Sequence, residues 1–223
     1  MKNQLKKIKV RLISGSPLRK TRLHDIRGNI VPFSRLLFHG PRATLTGLLR
    51  IFFGYRPERP WISYSAAAEI DAHLNEKSVV LEYGSGMSTV WLAKRCERLY
   101  SVEDNETWHR MIEERLSRHS LNNVTLEYSP DEDAYCSFPN DDSLRFDLFF
   151  IDGLYREKCL KNALSLLKPG GFVFLDDTDK GKPSLSDLYL REIVKRQGGW
   201  INYYTDFSPT EFAVTQCALA RIP

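Results

Sequence analysis

Residues Val79-Val80-Leu81-Glu82-Tyr83 form an apolar run that breaks at Gly84-Ser85-Gly86 and resumes as the helix-like Met87-Ser88-Thr89-Val90-Trp91-Leu92-Ala93. A second apolar run, Leu99-Tyr100-Ser101-Val102, follows and ends in Glu103. Few folds accommodate this order. A strand, a glycine turn, a helix and a second strand closed by a carboxylate describe the first half of a nucleotide-binding α/β unit. Gly84 and Gly86 permit a tight turn and let a ligand approach the backbone without meeting a Cβ. Glu103 falls roughly 20 residues after the first glycine, the separation at which a strand-end carboxylate reaches ribose hydroxyls. The bland alternative for Glu103 is a solvated carboxylate at a strand end.

The alternation continues downstream. Strands are expected at about 78–83, 98–103, 123–128, 146–152 and 171–176, with helical stretches near 87–95, 106–118 and 156–168. Ser65 to Leu74 reads as a helix before the first strand, and Ser184-x-x-Asp187 resembles a capping box opening another to about 196. Trp200–Tyr204 and Glu211–Cys217, with Ser208-Pro209 between them, suggest a closing antiparallel pair. The expected fold is a three-layer, Rossmann-like α/β sandwich with a mostly parallel sheet and a C-terminal antiparallel hairpin. Ligands of such sheets lie at the carboxyl ends of the strands. That rule singles out Gly84, Gly86, Glu103, the segment from Asp131 to Tyr135, Asp152 and Asp176-Asp177.

Charge divides the chain in two. Residues 1–60 hold 14 Lys/Arg against only Asp25 and Glu58, a balance of +12, whereas the remainder is −8 within a total of +4. A basic N-terminal extension, 1–60, is therefore expected ahead of an acidic domain, 61–223. Three readings of the extension stand: an arm that packs on the domain or covers its site, an anionic-membrane attachment through residues 1–55, and nucleic-acid binding. The last has charge but no recognition motif and is disfavoured. No apolar run approaches the roughly 20 residues of a membrane span, and the basic start lacks the apolar core of a secretory signal. Cys96, Cys136, Cys159 and Cys217 show neither a C-x-x-C pair nor zinc spacing, which fits reduced thiols in a cytoplasmic protein.

With these residues in view, the chain resembles the class I S-adenosylmethionine-dependent methyltransferases over roughly residues 62–217. Glu82-Tyr83-Gly84-Ser85-Gly86 matches their first motif, Glu103 their second-strand acid, and Leu167-Lys168-Pro169-Gly170-Gly171 the segment that introduces their fifth strand. Thr89 stands where a dinucleotide G-x-G-x-x-G fingerprint needs its third glycine, and no Gly-Lys-Ser/Thr of a Walker loop occurs. The resemblance implies S-adenosylmethionine as cofactor. It places Gly84 and Gly86 beneath the methionine part, Glu82 in loop ordering or at the amino group, and Glu103 on the ribose. Asp133 and Ala134 would meet the adenine, although Asp131, Glu132 and Asp133 are equally readable as a solvated acidic turn.

Asp152 after the fourth strand and Asp176-Asp177 after the fifth match the places where metal-dependent O-methyltransferases hold a divalent cation such as Mg²⁺. Asp177 departs from their pattern, which has an amide there. Three carboxylates together require compensation by a metal, by Arg156 and Lys180, or by a raised pKa. Without metal, Asp152 or Asp177 is the candidate general base for a hydroxyl acceptor. Asp152 is also a candidate cofactor contact, and Trp61 and Tyr64 are readable either as acceptor-pocket walls or as packing of the entry segment. The resemblance thus implies O-methylation of a small-molecule or sugar hydroxyl. The rival reading is a non-catalytic scaffold of the same fold, attached to a membrane or partner through its basic arm.

Overall fold

The computed structural model describes residues 15–180 and 184–223. Seven strands, β1 (Val79–Tyr83), β2 (Arg98–Glu103), β3 (Val124–Tyr128), β4 (Phe146–Ile151), β5 (Leu167–Leu175), β6 (Trp200–Asp206) and β7 (Thr215–Arg221), form one sheet. Their order is β3-β2-β1-β4-β5-β7-β6. The first five strands are parallel, while β7 runs antiparallel to both β5 and β6. The central strands are apolar on both faces because both faces are covered. Val80, Leu99, Phe150 and Phe174 pack on one side with Leu92, Ile112 and Ile70. Leu81, Phe149, Ile151 and Leu175 pack on the other with Tyr135, Leu160 and Leu190.

Register sets the site. Tyr83 pairs with Val102 and Ile151, and Ile151 pairs with Leu175, so β1, β2, β4 and β5 end level with one another. The next residues, Gly84, Glu103, Asp152 and Asp176, consequently share one edge of the sheet.

Helices α1 (Phe33–Phe53) and α2 (Tyr64–His73) precede the sheet; α3 (Met87–Ala93), α4 (Glu106–Arg118), α5 (Glu132–Ser137), α6 (Arg156–Ala163) and α7 (Leu185–Gln197) connect its strands. Caps set several starts. Asn105 accepts from the Trp108 amide, Asp131 from that of Ala134, and Ser184 from that of Asp187.

Several elements differ from the sequence expectation. The helix expected over 156–168 ends at Ala163, continues as one 3₁₀ turn over Leu164–Leu166, and gives way to β5 at Leu167. The strand starts early because Leu167 already pairs with Phe146, and Lys168-Pro169-Gly170-Gly171 forms an irregularity in the ladder, with Gly170 at φ +78°. The last strand lies at 215–221 instead of 211–217, since residues 207–214 form the connection. Asp131 to Tyr135 contains the cap and opening of α5, where no helix was expected. α1 was likewise unforeseen: Gly40-Pro41 reads as a breaker, yet the helix runs through it.

The described part of the extension is packed against the β6–β7 end. Asp25, completely buried, accepts from Thr205 Oγ1 and from Gln216 Nε2, and Arg27 pairs with the buried Asp187. α1 docks through small residues, Ala43 and Gly47, and a Cβ on Gly47 would lie 2.6 Å from the Phe212 ring. His39 on the same face reaches Asp206 at 2.8 Å, and Asp206 also accepts from the amide and hydroxyl of Ser65 at the start of α2.

Candidate active site

At the carboxyl edge of the sheet, the glycine loop is built from beneath. Glu82 is completely buried, and its carboxyl accepts from Ser88 Oγ, Thr89 Oγ1 and Ser101 Oγ, each at 2.6 Å. Thr89 Oγ1 in turn accepts from the Gly86 amide at 2.8 Å. Burial pushes the Glu82 carboxyl up to about 7, against the opposing pull of the three hydroxyls. Glu82 orders the loop and does not line the cleft above it, so of its two expected roles the geometry supports only the first.

The two glycines of the loop differ. Gly84 has φ +93°, and a Cβ there would sit 2.5 Å from Cα of Gly153, so this position needs glycine for close backbone packing. Gly86 is extended, and its Cβ would meet nothing closer than Ser88 Oγ at 3.4 Å. What its missing Cβ frees is space in the cleft.

That cleft has a volume of about 350 Å³, within the usual range for small-ligand sites. Ser85, Gly86, Glu103, Trp108, Trp61 and Asp152 are among the residues that line it. Glu103 is almost buried, accepting from the Asn105 amide at 3.0 Å and Ser85 Oγ at 3.0 Å. Burial raises its carboxyl above the ordinary value. Each oxygen has one protein donor and retains capacity for another, as an acceptor pair for vicinal hydroxyls requires. Trp108 Nε1 donates to the Ser85 carbonyl at 2.6 Å and so fixes the loop from α4. Sequence analysis gave Trp108 no role in the loop. A tryptophan in the first turn after the strand-end acid was the available signal.

Asp133 and Ala134 are not among the residues lining the cleft. The Asp133 side chain is exposed and ion-paired with Lys158, and the Ala134 amide is spent on the Asp131 cap. The expected adenine contacts therefore find no support here, because α5 turns these groups to solvent and to its own N-terminus.

Asp152, Asp176 and Asp177 do meet, with one oxygen from each lying within 4.8 Å of the others. Arg156 is bound among them. Its Nη2 donates to Asp177 Oδ2 at 3.0 Å and Asp152 Oδ1 at 3.3 Å, Nη1 to the Asp176 carbonyl at 2.7 Å, and Nε to the Gly153 carbonyl at 3.0 Å. Lys180 Nζ approaches Asp177 Oδ2 at 2.7 Å. Asp177 adopts φ +55°, a left-handed conformation that aspartate tolerates, at the turn where it meets both cations. Burial and the charges of Asp152 and Asp177 push the Asp176 carboxyl well above the carboxylate range, and its Oδ1 is buried without a partner. Burial also raises Asp152, which Arg156 partly offsets. Arg156 and Lys180 offset the negative charge of the cluster. The three oxygens lie close enough to hold an ion, but Asp152 and Asp177 already accept from Arg156 and Lys180, so the expected divalent cation finds no further support here.

A second cavity, of about 520 Å³, is also lined by Asp152. Asp176, Asp177 and Lys180 line it from the segment after β5, Ser208 and Glu211 from the β6–β7 connection, and Arg19 and Ile26 from the N-terminal extension. Trp61 belongs to both cavities. Tyr64 belongs to neither: it is buried under α1, between His39 and the guanidinium groups of Arg42 and Arg59.

The strand order and the paired edge residues find their counterpart in known proteins. Residues 81–178 match a family model described as a methyltransferase domain. Over that stretch the chain resembles the class I methyltransferases. Among solved structures, the O-methyltransferase TomG from Streptomyces achromogenes, in complex with S-adenosylmethionine, superposes with a TM-score of 0.58 at 18% identity, covering 81% of this chain and 89% of that one. The Bacillus cereus O-methyltransferase in complex with S-adenosylhomocysteine gives 0.55 at 15% identity, covering 82% and 99%. A putative O-methyltransferase from Klebsiella pneumoniae gives 0.53 at 17% identity, covering 97% and 94%. At these identities the superpositions establish the shared fold. No curated protein sequence matches the chain.

Proposed function

We propose that this methyltransferase domain moves a methyl group from S-adenosylmethionine to a hydroxyl of a small-molecule or sugar acceptor. The observation that carries this reading is that Asp152 and Trp61 form walls common to both cavities, so a ligand in each would meet beside one carboxylate. The cofactor supplies an electrophilic methyl on a sulfonium. Glu103 would accept from its ribose hydroxyls, and the Ser85-Gly86 backbone would lie beneath its methionine part. The names of the O-methyltransferases of like fold support this donor and acceptor chemistry but fix neither.

Asp152 serves as the base that takes the acceptor proton. Its raised carboxyl is closer to neutral pH than an ordinary aspartate, which favours proton transfer. Asp177, the other candidate base, shares Oδ2 with Arg156 and Lys180. With that oxygen engaged by both cations, its role is to hold Arg156 and Lys180 in place. Trp61, between the cavities, shields the reacting atoms from water.

Asp152→Asn tests the assignment. Against a panel of phenolic and sugar hydroxyls, formation of S-adenosylhomocysteine at saturating S-adenosylmethionine is expected to fall about 10²-fold or more. The wild-type rate should rise with pH through the raised Asp152 titration, and the variant should lose that rise. An equal rate in the variant, or methylation confined to nitrogen or carbon, would defeat the proposal.

A further inference from the structure

α1 carries its apolar surface on the wrong side for a packed helix. Phe33, Leu37, Pro41, Leu45, Leu48 and Phe52 recur at spacings of 4, 4, 4, 3 and 4 residues, which aligns them in one stripe. All six are exposed, and Phe38 and Ile51 widen the stripe on either side. The opposite face, with Ala43 and Gly47, is the one buried against the domain. No charged side chain interrupts the outward stripe, and the helix has no acidic residue anywhere in its 21 residues. Arg35 and Arg42 run along one border. Contiguous apolar surface of this length, bare on a folded protein, marks an interaction site.

We propose that this face of α1 docks flat on an anionic lipid surface, seating its phenylalanines and leucines at the headgroup boundary. Charge selects this occupant. The first 60 residues carry +12, including Lys2, Lys6, Lys7, Lys9 and Arg11, while residues 61–223 carry −8. An anionic bilayer attracts the extension and repels the acidic body, which orients the protein with α1 toward the lipid. A second copy of the chain would instead bring two +12 segments together, which their charge opposes. Among the described residues no helix is long and apolar enough to cross a membrane, so the contact is interfacial. The inference is independent of the methyl-transfer reading. Should that reading also hold, the orientation has a consequence: α1 packs on Phe207 and Phe212, in the connection whose Ser208 and Glu211 line the second cavity, so docking sets that cavity beside the lipid.

Flotation of the full chain with vesicles tests the proposal. Vesicles of mixed phosphatidylglycerol and phosphatidylcholine should carry the protein upward, and pure phosphatidylcholine vesicles should carry at least about tenfold less. Added salt should weaken the difference. The triple variant Phe38→Ser/Leu45→Ser/Phe52→Ser alters only exposed side chains and should lower partitioning about a hundredfold at an unchanged melting midpoint. Leu45→Ser alone provides the same test at smaller amplitude if the triple variant melts early. Wild-type protein that stays with the solution in anionic vesicles, or variants that float equally well, would overturn the proposal. So would a dimer that the triple variant dissociates in the absence of any flotation, since the face would then belong to a second copy.

Discussion

Replacing Glu82 by glutamine should flatten the pH dependence of folding stability. The carboxyl is enclosed under the glycine loop with three hydroxyl donors and no cation, and its titration moves from 4.5 to about 7. Between those values the folded protein holds a proton that the unfolded chain has released. Its contribution to stability is therefore complete below about 4.5, declines as pH rises toward 7, and is gone above. At about 1.4 kcal/mol per pH unit, the interval amounts to about 3 kcal/mol, of which about 2.5 kcal/mol falls between pH ~5 and pH ~8. Glutamine keeps the shape and cannot ionise. Urea unfolding of both proteins at pH ~5 and pH ~8 separates this residue from all others, because only the difference in slope is read. The wild type should lose about 2 to 3 kcal/mol more than the variant over that range. Parallel pH profiles would refute the reasoning, whatever constant offset the amide introduces through its altered hydrogen bonds.

The two loop glycines should separate cleanly. Gly84→Ala forces a Cβ to within 2.5 Å of Gly153 at positive φ and is expected to cost about 3 kcal/mol or more of stability, measured by denaturant unfolding. Gly86→Ala should melt within a few degrees of wild type yet bind S-adenosylmethionine at least about tenfold more weakly by calorimetry. Arg156→Met strips the central cation from Asp152 and Asp177 and should destabilise the fold by about 3–5 kcal/mol near neutral pH. That loss should shrink as pH falls and the carboxylates are protonated, and chelators should leave wild-type melting unchanged.

Much of this architecture was legible in the residues because it depends on local signals. The apolar runs of β1, β2 and β4 are buried on both faces, so their boundaries follow hydrophobicity within a residue. Gly84, Glu103, Asp152 and Asp176 were placed by the rule that parallel strands present ligands at their carboxyl ends. What was not legible depends on partners distant in sequence. α1 hides behind Gly40-Pro41, and its packing face consists of Ala43 and Gly47, which carry no apolar signal; its hydrophobic stripe points outward. The Asp177 contacts with Arg156 and Lys180 require the turn at φ +55° to be known before a metal cluster can be told from an ion-pair cluster. Asp133 misled for a similar reason, since proximity to a strand end does not say which way the first turn of α5 faces. Arg19 and Ile26 reach the second cavity only because Asp25 is anchored on β6 and β7.

The central claim is that the cleft between the glycine loop and Glu103 binds S-adenosylmethionine. Isothermal titration of the full chain with S-adenosylmethionine, wild type beside Glu103→Ala, measures it directly. The account predicts saturable one-to-one binding by the wild type and at least about a tenfold weaker constant in the variant, consistent with loss of a paired acceptor for the ribose hydroxyls. No binding by the wild type, or the same affinity in a folded Glu103→Ala protein, would contradict it.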